Sequence, residues 1–140
     1  MAKKKGVKYW KKKAWEEFSK YIRIRDAIRT TGERESLVCC SCGKIYPAFG
    51  VGCAQAGHFI PGRSNSVLFS EEGVHGQCYN CNMRLKGNWA KYYEFMLETY
   101  GQETIDRLMH EAKQIKQYKT FELEEIRDLY KQKFKELNNG

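Results

Sequence analysis

Two short cysteine motifs constrain this chain more than any other feature in it. Cys39 and Cys42 form one CxxC pair, and Cys78 and Cys81 form a second, with 35 residues between them. A CxxC turn presents two sulfurs to one ion with little strain, and tetrahedral zinc takes four thiolates at about 2.3 Å. Two such turns complete a closed structural site, and their separation suits pairs that bracket a β-hairpin. A redox CxxC and buried free thiols are the competing readings. Of the remaining cysteines, Cys40 offers an alternative register with Cys42 and Cys53 is spare, so both read as structural or incidental.

The metal reading gains weight from the expected compartment. No run of 18 apolar residues exists, and the amino terminus lacks the apolar stretch that a signal peptide carries behind its basic region. A soluble, cytoplasmic protein with no membrane partner is expected, and a reducing cytosol keeps disulfides open. At 140 residues, 41% of them hydrophobic and only 2 Pro, the chain is expected to fold as one compact globular domain.

Charge points to a polyanionic partner. Lys and Arg number 25 against 17 Asp and Glu, a net charge of +8. Seven lysines (Lys3, Lys4, Lys5, Lys8, Lys11, Lys12, Lys13) precede the first acid, Glu16, and setting them aside leaves 18 basic residues against 17 acidic ones. The excess is an amino-terminal arm. Such a segment gains affinity for nucleic acid by releasing condensed counterions, with Lys11, Lys12 and Lys13 as candidate backbone contacts. A solubilising tail is the competing reading.

Apolar spacing places the elements. Trp10, Ala14, Phe18 and Ile22 recur every fourth residue and Trp15 and Tyr21 widen the stripe, which predicts an amphipathic helix over Trp10 to Ala27. Lys11, Lys12, Lys20, Arg23 and Arg25 read as its solvated face. Residues 30–36 read as a loop. Gly-rich residues 43–66, with Pro47 and Pro61, forbid a long helix, and apolar segments at His58 to Ile60 and Val74 to Gln77 fit a β-hairpin. Trp89 through Tyr100 follows helical spacing and stops at Gly101. Ile105 through Ile115 gives another helix, and Thr120 caps a last one whose stripe is Leu123, Ile126, Tyr130, Phe134 and Leu137.

Between the cysteine pairs lie His58 in AGHF and His75 in VHGQC, and Asn82 directly follows Cys81 in CYNCN. A zinc clasp fixes the chain at both ends of this stretch, so the two imidazoles and the carboxamide are expected to converge on one face. An ordinary hydrogen-bonded residue is the competing reading for each histidine. His110, without a companion ligand, reads as surface. Arg63, Lys86 and Asn88 are close to the site in sequence and are candidates to clamp phosphate, Arg by its planar fork and Lys as a point charge.

AGHFIPGRSNSVLF, VHGQCYNCN and LKGNWAKYY together resemble the NinG (Rap) family of lambdoid phage recombination proteins, from KYIRIRDA near Tyr21 to the late helix ELEEIRDLYKQKFKEL. The bracketed pattern is also similar to the wider HNH, or ββα-metal, nucleases. The resemblance implies an α+β fold, with a small zinc-stapled ββα-metal module over 39–100, a basic arm and helix over 1–38, and C-terminal helices over 101–140 packing on that core. It implies a phage-encoded, structure-specific DNA endonuclease of the bacterial host cytoplasm that cuts D-loops and Holliday junctions by a one-metal mechanism.

Position by position, the resemblance implies that Cys39, Cys42, Cys78 and Cys81 hold structural zinc. His58 takes the place of the general base, and Asn82 opens a helix and ligates a catalytic Mg²⁺ or Mn²⁺. Many HNH enzymes precede the base with a metal-binding Asp, but here the residue is Gly57, and His75 is the candidate replacement ligand. The roles of base and ligand stay open between His58 and His75. Cutting two opposed strands would suit a homodimer, and other recombination proteins are candidate partners. The alternative class is a non-catalytic zinc-containing DNA-binding protein or recombination adaptor.

Overall fold

The structure, a computed structural model, describes residues 4–139, so Lys3 of the lysine arm lies outside the described residues. The first helix, α1, runs Val7–Thr31, longer at both ends than the apolar spacing predicts. It ends at Gly32, whose φ of 79° is the left-handed conformation that lets its N–H turn back to the Ile28 carbonyl at 3.0 Å. In its last turn the Thr30 and Thr31 hydroxyls each donate to the carbonyl four residues back. Lys8, Lys11, Lys12 and Lys13 therefore belong to α1 itself, so most of the expected arm is helix.

Two small antiparallel hairpins follow. β1 (Ser36–Val38) pairs with β2 (Ile45–Pro47), and the turn between them carries Cys39, Cys40 and Cys42. β3 (Gln55–His58) pairs with β4 (Val74–Gln77), with Ala56 opposite Gly76 and Gly57 opposite His75. Strand pleating divides the second hairpin's side chains between two faces. Ala56 and Val74 pack on Phe18, Tyr21 and Ile22 of α1, whereas Phe59, just beyond β3, packs with Tyr92, Met96, Ile105 and Leu108 on the other side. The hairpin is the middle layer between α1 on one side and the helices over 89–112 on the other.

After β4 the chain makes one helical turn, Asn80–Arg84, and then breaks. Lys86, Gly87 and Asn88 all have positive φ (51°, 97° and 43°), which no right-handed helix accommodates. Asn82, expected to open a helix, sits within this short helical turn, and the longer helix α2 begins only afterwards, spanning Trp89–Tyr100. α3 (Gln102–Ala112) ends before Ile115, which is 94% exposed and not part of a buried stripe. Its last turn tightens to i→i−3 bonds at Lys113 and Gln114, which ends the α-helical ladder.

α4 (Thr120–Asn139) lies along α1, with Leu123 and Tyr130 buried and Ile126, Phe134 and Leu137 against the same cluster. Glu71, in the connection between β3 and β4, accepts bonds from Tyr21 Oη (2.9 Å), Tyr130 Oη (3.0 Å) and Lys133 Nζ (2.8 Å), tying α1, α4 and the hairpin together.

Arg25, read from the sequence as solvated, is buried and corrects that reading. Its guanidinium bonds Asp26 Oδ1 and the carbonyls of Glu71 and Val74 at 2.7 to 2.8 Å, while Asp26 Oδ2 accepts the Gly76 N–H at 2.8 Å. A buried ion pair of this kind is tolerated when every polar group is bonded, and here it fixes β4 against α1. Among the described residues no helix is long and apolar enough to cross a membrane.

Candidate metal centre and nucleic-acid groove

The two hairpins bring all four clasp cysteines together. The sulfurs of Cys39, Cys42, Cys78 and Cys81 lie within 4.8 Å of one another, and Cys42 and Cys78 are 3.9 Å apart. Four thiolates around zinc at about 2.3 Å form a tetrahedron with edges of about 3.8 Å, so the cluster has the dimensions of that site. Amide N–H groups point at the sulfurs: Cys42 and Cys78 donate to Cys39 at 3.5 and 3.3 Å, and Cys81 donates to Cys78 at 3.4 Å. Such donors stabilise thiolates and orient them. The residues fit a structural metal such as zinc, held with no coordination position left open. Cys40 and Cys53 stand apart: Cys40 lies by Ser41, its thiol pushed well up by burial, and Cys53 lies 3.7 Å from Arg23 Nη1.

Asn88, expected to clamp phosphate, belongs to this centre instead. Its left-handed backbone turns the side chain back, and Nδ2 donates to Cys81 Sγ at 3.5 Å. Gln77 braces the two clasps from behind. Fully buried, it gives both Nε2 hydrogens away, to Ser41 Oγ and to the Gly87 carbonyl, each at 2.8 Å. Because a carbonyl only accepts, the nitrogen must face Gly87 and Oε1 faces Gly57, where it has no hydrogen-bond partner. A Cβ on Gly57 would lie 2.0 Å from that oxygen, so the glycine is required by the close approach of Gln77.

His58 and Asn82 share a groove. Two adjoining clefts, of about 390 and 380 Å³, have Ala56, Arg63, Asn82 and Met83 in common. The first adds Trp15, Arg23 and Gln55, and the second adds His58, Lys86 and Trp89. Among the described residues no carboxylate lines either cleft, while Arg23, Arg63 and Lys86 do, giving the groove a positive lining.

His58 is fixed on two sides. Its ring stacks on Trp15 with centroids 5.0 Å apart and planes 18° apart, and Nε2 lies 3.0 Å from the Leu68 carbonyl. That carbonyl only accepts, so Nε2 carries the proton and the neutral ring leaves its lone pair on Nδ1, which has no protein partner among the described residues. Burial, with a smaller effect of the Arg63 charge, pulls the His58 pKa down to about 4 against the bond to Leu68. Arg63 is exposed, with its guanidinium 4.5 Å from the centre of the Trp15 ring. Asn82 Nδ2 donates to Gln55 Oε1 at 2.7 Å, leaving Oδ1 directed toward Gly57.

His75 does not join them, which corrects the expected convergence. The register that sets Gly57 opposite His75 puts His58 and His75 on opposite faces of the hairpin. His75 is 2% exposed among Tyr92, Phe95 and Tyr100, with Nδ1 3.3 Å from Tyr92 Oη and Nε2 2.8 Å from Tyr100 Oη. Burial pulls its pKa down to about 3. Both nitrogens are engaged, so the ring acts as a core hydrogen-bonding residue and is not free to ligate an ion in the groove. Of the helix lysines, Lys11 bonds Asn65 Oδ1 at 2.9 Å, Lys13 pairs with Glu16 at 3.7 Å, and Lys12 is exposed.

Sequence reasoning missed Trp15, Arg23, Gln55 and Gln77. Helical spacing assigned the tryptophan to the core and the arginine to a solvated face. Gln55 and Gln77 carried no signal, since strand alternation puts Gln55 on the face opposite His58.

Comparison with known proteins adds a lineage. The profile described as "Bacteriophage Lambda NinG protein" matches residues 1–140. The chain is 30% identical over 133 residues to the protein called "Protein ninG" of Escherichia phage 933W, and to that of Enterobacteria phage VT2-Sa, covering 94% of this chain and 60% of each relative. It is 30% identical over 101 residues to "Protein ninG" of Enterobacteria phage H19B, covering 71% of this chain and 44% of that one. The chain thus spans about 60% of the length of the first two relatives. No solved structure matches.

Proposed function

The chain belongs to the NinG family of phage proteins, and from that premise we propose that it is a structure-specific endonuclease that hydrolyses phosphodiester bonds in branched recombination intermediates such as D-loops and Holliday junctions. The observation that carries the reading is His58: a neutral imidazole, pinned by Trp15 and Leu68, with an unengaged Nδ1 in a groove lined by Arg23, Arg63 and Lys86. A DNA backbone following the positive lining would bring a phosphate to that nitrogen.

In this reading Nδ1 takes a proton from water as the water attacks phosphorus in line, the bond from phosphorus to the sugar oxygen opposite it breaks, and that leaving oxygen takes a proton from solvent, while Arg63 and Lys86 offset charge gathering on the phosphate oxygens. The low pKa, set chiefly by burial, keeps His58 in its base form at physiological pH, and an incoming phosphate would raise it in part by opposing the smaller effect of the Arg63 charge. Zinc on the four cysteines would supply rigidity, holding the turn that carries Asn82 against β3.

The groove does not fit a preformed catalytic divalent-cation site. Mg²⁺ is ordinarily held by one or two carboxylates, whereas the oxygens near Gly57 are the neutral Asn82 Oδ1 and Gln77 Oε1. No step above is therefore routed through such an ion. The same feature favours the second reading, a zinc-containing DNA-binding protein that does not cut. Cleavage of a labelled four-way junction against a linear duplex by the zinc-loaded protein, with and without Mg²⁺ or Mn²⁺, separates the two. Junction products support the nuclease, and binding with no product under any condition leaves the binding protein.

A further inference from the structure

Pro61 and Trp89 form a ridge shared by two different clefts. On one side is the basic groove holding His58, Arg63 and Lys86. On the other is an apolar cleft of about 560 Å³ lined chiefly by Ile60, Pro61, Trp89, Met109 and Ala112, within the ~300–1,000 Å³ range of small-molecule sites. Trp89 is held flat on Phe59, with centroids 5.6 Å and planes 12° apart, yet remains 41% exposed. The Tyr93 ring is also 5.1 Å away, tilted by 54°, so the indole is held in place while part of it stays exposed at the edge of a groove with a positive lining, the character of a stacking platform.

A nucleotide has the same division of character, an anion joined to a flat ring with apolar faces. We propose that the apolar cleft receives an unpaired nucleobase, stacked on Trp89, from the strand whose phosphates lie in the basic groove. The inference rests on the reading that this groove follows a DNA backbone, and it assigns the selectivity for branched over linear DNA to one base contact.

A base within a duplex is stacked on both faces and paired along its edge, so seating it here would require breaking the helix. At a branch or single-stranded arm the base is already unstacked, and that cost largely disappears. The polar rim is only Ser64, whose Oγ donates to the Ala112 carbonyl at 3.1 Å, and Lys113, an ammonium on a flexible stem that meets acceptors of several bases without a fixed geometry. The site should therefore accept any base and select structure, not sequence.

The test uses the full zinc-loaded chain without Mg²⁺ or Mn²⁺, so that binding is read apart from cutting. The probes are a fully paired duplex and a duplex of equal length with one single-stranded arm carrying 2-aminopurine. Wild type is expected to prefer the armed duplex by about 5- to 150-fold, the range that one base–aromatic stack is worth, and to quench the 2-aminopurine. Trp89→Ala should abolish both effects. Because Trp89 also packs on Phe59, Ala112→Phe provides a second test: it fills the cleft and leaves the indole in place, and it should likewise abolish the preference.

Equal wild-type affinity for the two probes, or an undiminished preference in Ala112→Phe, overturns the inference. The nuclease reading fails on a different result, the absence of cleavage products, and a protein that prefers the arm but never cuts keeps this inference without it.

Discussion

Adding a single methyl group at Gly57 tests how the metal clasps are braced. Gly57 has no positive φ, so on backbone grounds Gly57→Ala in a strand should stabilise by about 0.5–1 kcal/mol. The structure reverses that sign. The new Cβ would lie 2.0 Å from Gln77 Oε1, 2.9 Å from Gln77 Cδ and 3.0 Å from Asn82 Oδ1. Gln77 is fully buried and cannot swing into solvent, so it must give up its bonds to Ser41 Oγ and the Gly87 carbonyl. At roughly 0.5–1.5 kcal/mol for each net bond, plus the cost of leaving buried partners unmatched, the loss is about 2–4 kcal/mol. The assay is urea unfolding of the zinc-loaded wild type, Gly57→Ala, Gln77→Ala and the double variant. Once Gln77 is shortened the methyl has room, so the double variant should be about as stable as Gln77→Ala alone, a coupling of about 2 kcal/mol or more. Stabilisation by Gly57→Ala, or effects that add to within ~0.5 kcal/mol, would refute the collision.

Acid should expose the buried His75. Its folded pKa of about 3 lies below the unfolded value of 6.5, so its contribution is fully present above about pH 6.5 and is lost at about 1.4 kcal/mol per pH unit as pH falls toward 3. His75→Phe should therefore remove about 2 kcal/mol of the stability difference between pH 7 and pH 5 in paired urea titrations, and parallel pH dependences would count against it. Metal analysis should find one zinc per chain, lost in Cys78→Ser and retained in Cys53→Ser; zinc loss in the latter would move the site. Replacing exposed Lys4, Lys5, Lys8 and Lys12 by Gln should flatten the dependence of log K on log salt for duplex binding, by up to ~0.9 per lysine that meets a phosphate, and an unchanged slope would make them solubilising residues.

The parts of this molecule legible in its sequence are those set by near neighbours. Each CxxC pair is a local turn, so Cys39 with Cys42 and Cys78 with Cys81 mark the four-cysteine cluster in the sequence alone. Helical spacing found α2, α3 and α4 to within a few residues, because each buries one continuous stripe. The three-residue strands β1 and β2 are too short for an alternation to register. The separation of His58 from His75 depends on the pairing of Gly57 with His75 across the connection 59–73, and no local signal fixes a register over that distance. Arg25 and Asp26 look like surface charges until β4 is laid over them, and Trp15 looks like core until the groove opens beside it. In each case the meaning of a residue was set by a partner distant in the chain.

The central claim, that the imidazole of His58 cuts the strand lying in the basic groove, is tested most directly by His58→Ala. Initial cleavage rates on a labelled four-way junction would be measured beside binding of the same junction by fluorescence anisotropy. Loss of a positioned general base costs about 10²- to 10⁴-fold in rate. The expected result is a rate at least about 100-fold lower with junction affinity within about twofold of wild type. A variant that still cuts at close to the wild-type rate would contradict the claim and move the chemistry away from this residue.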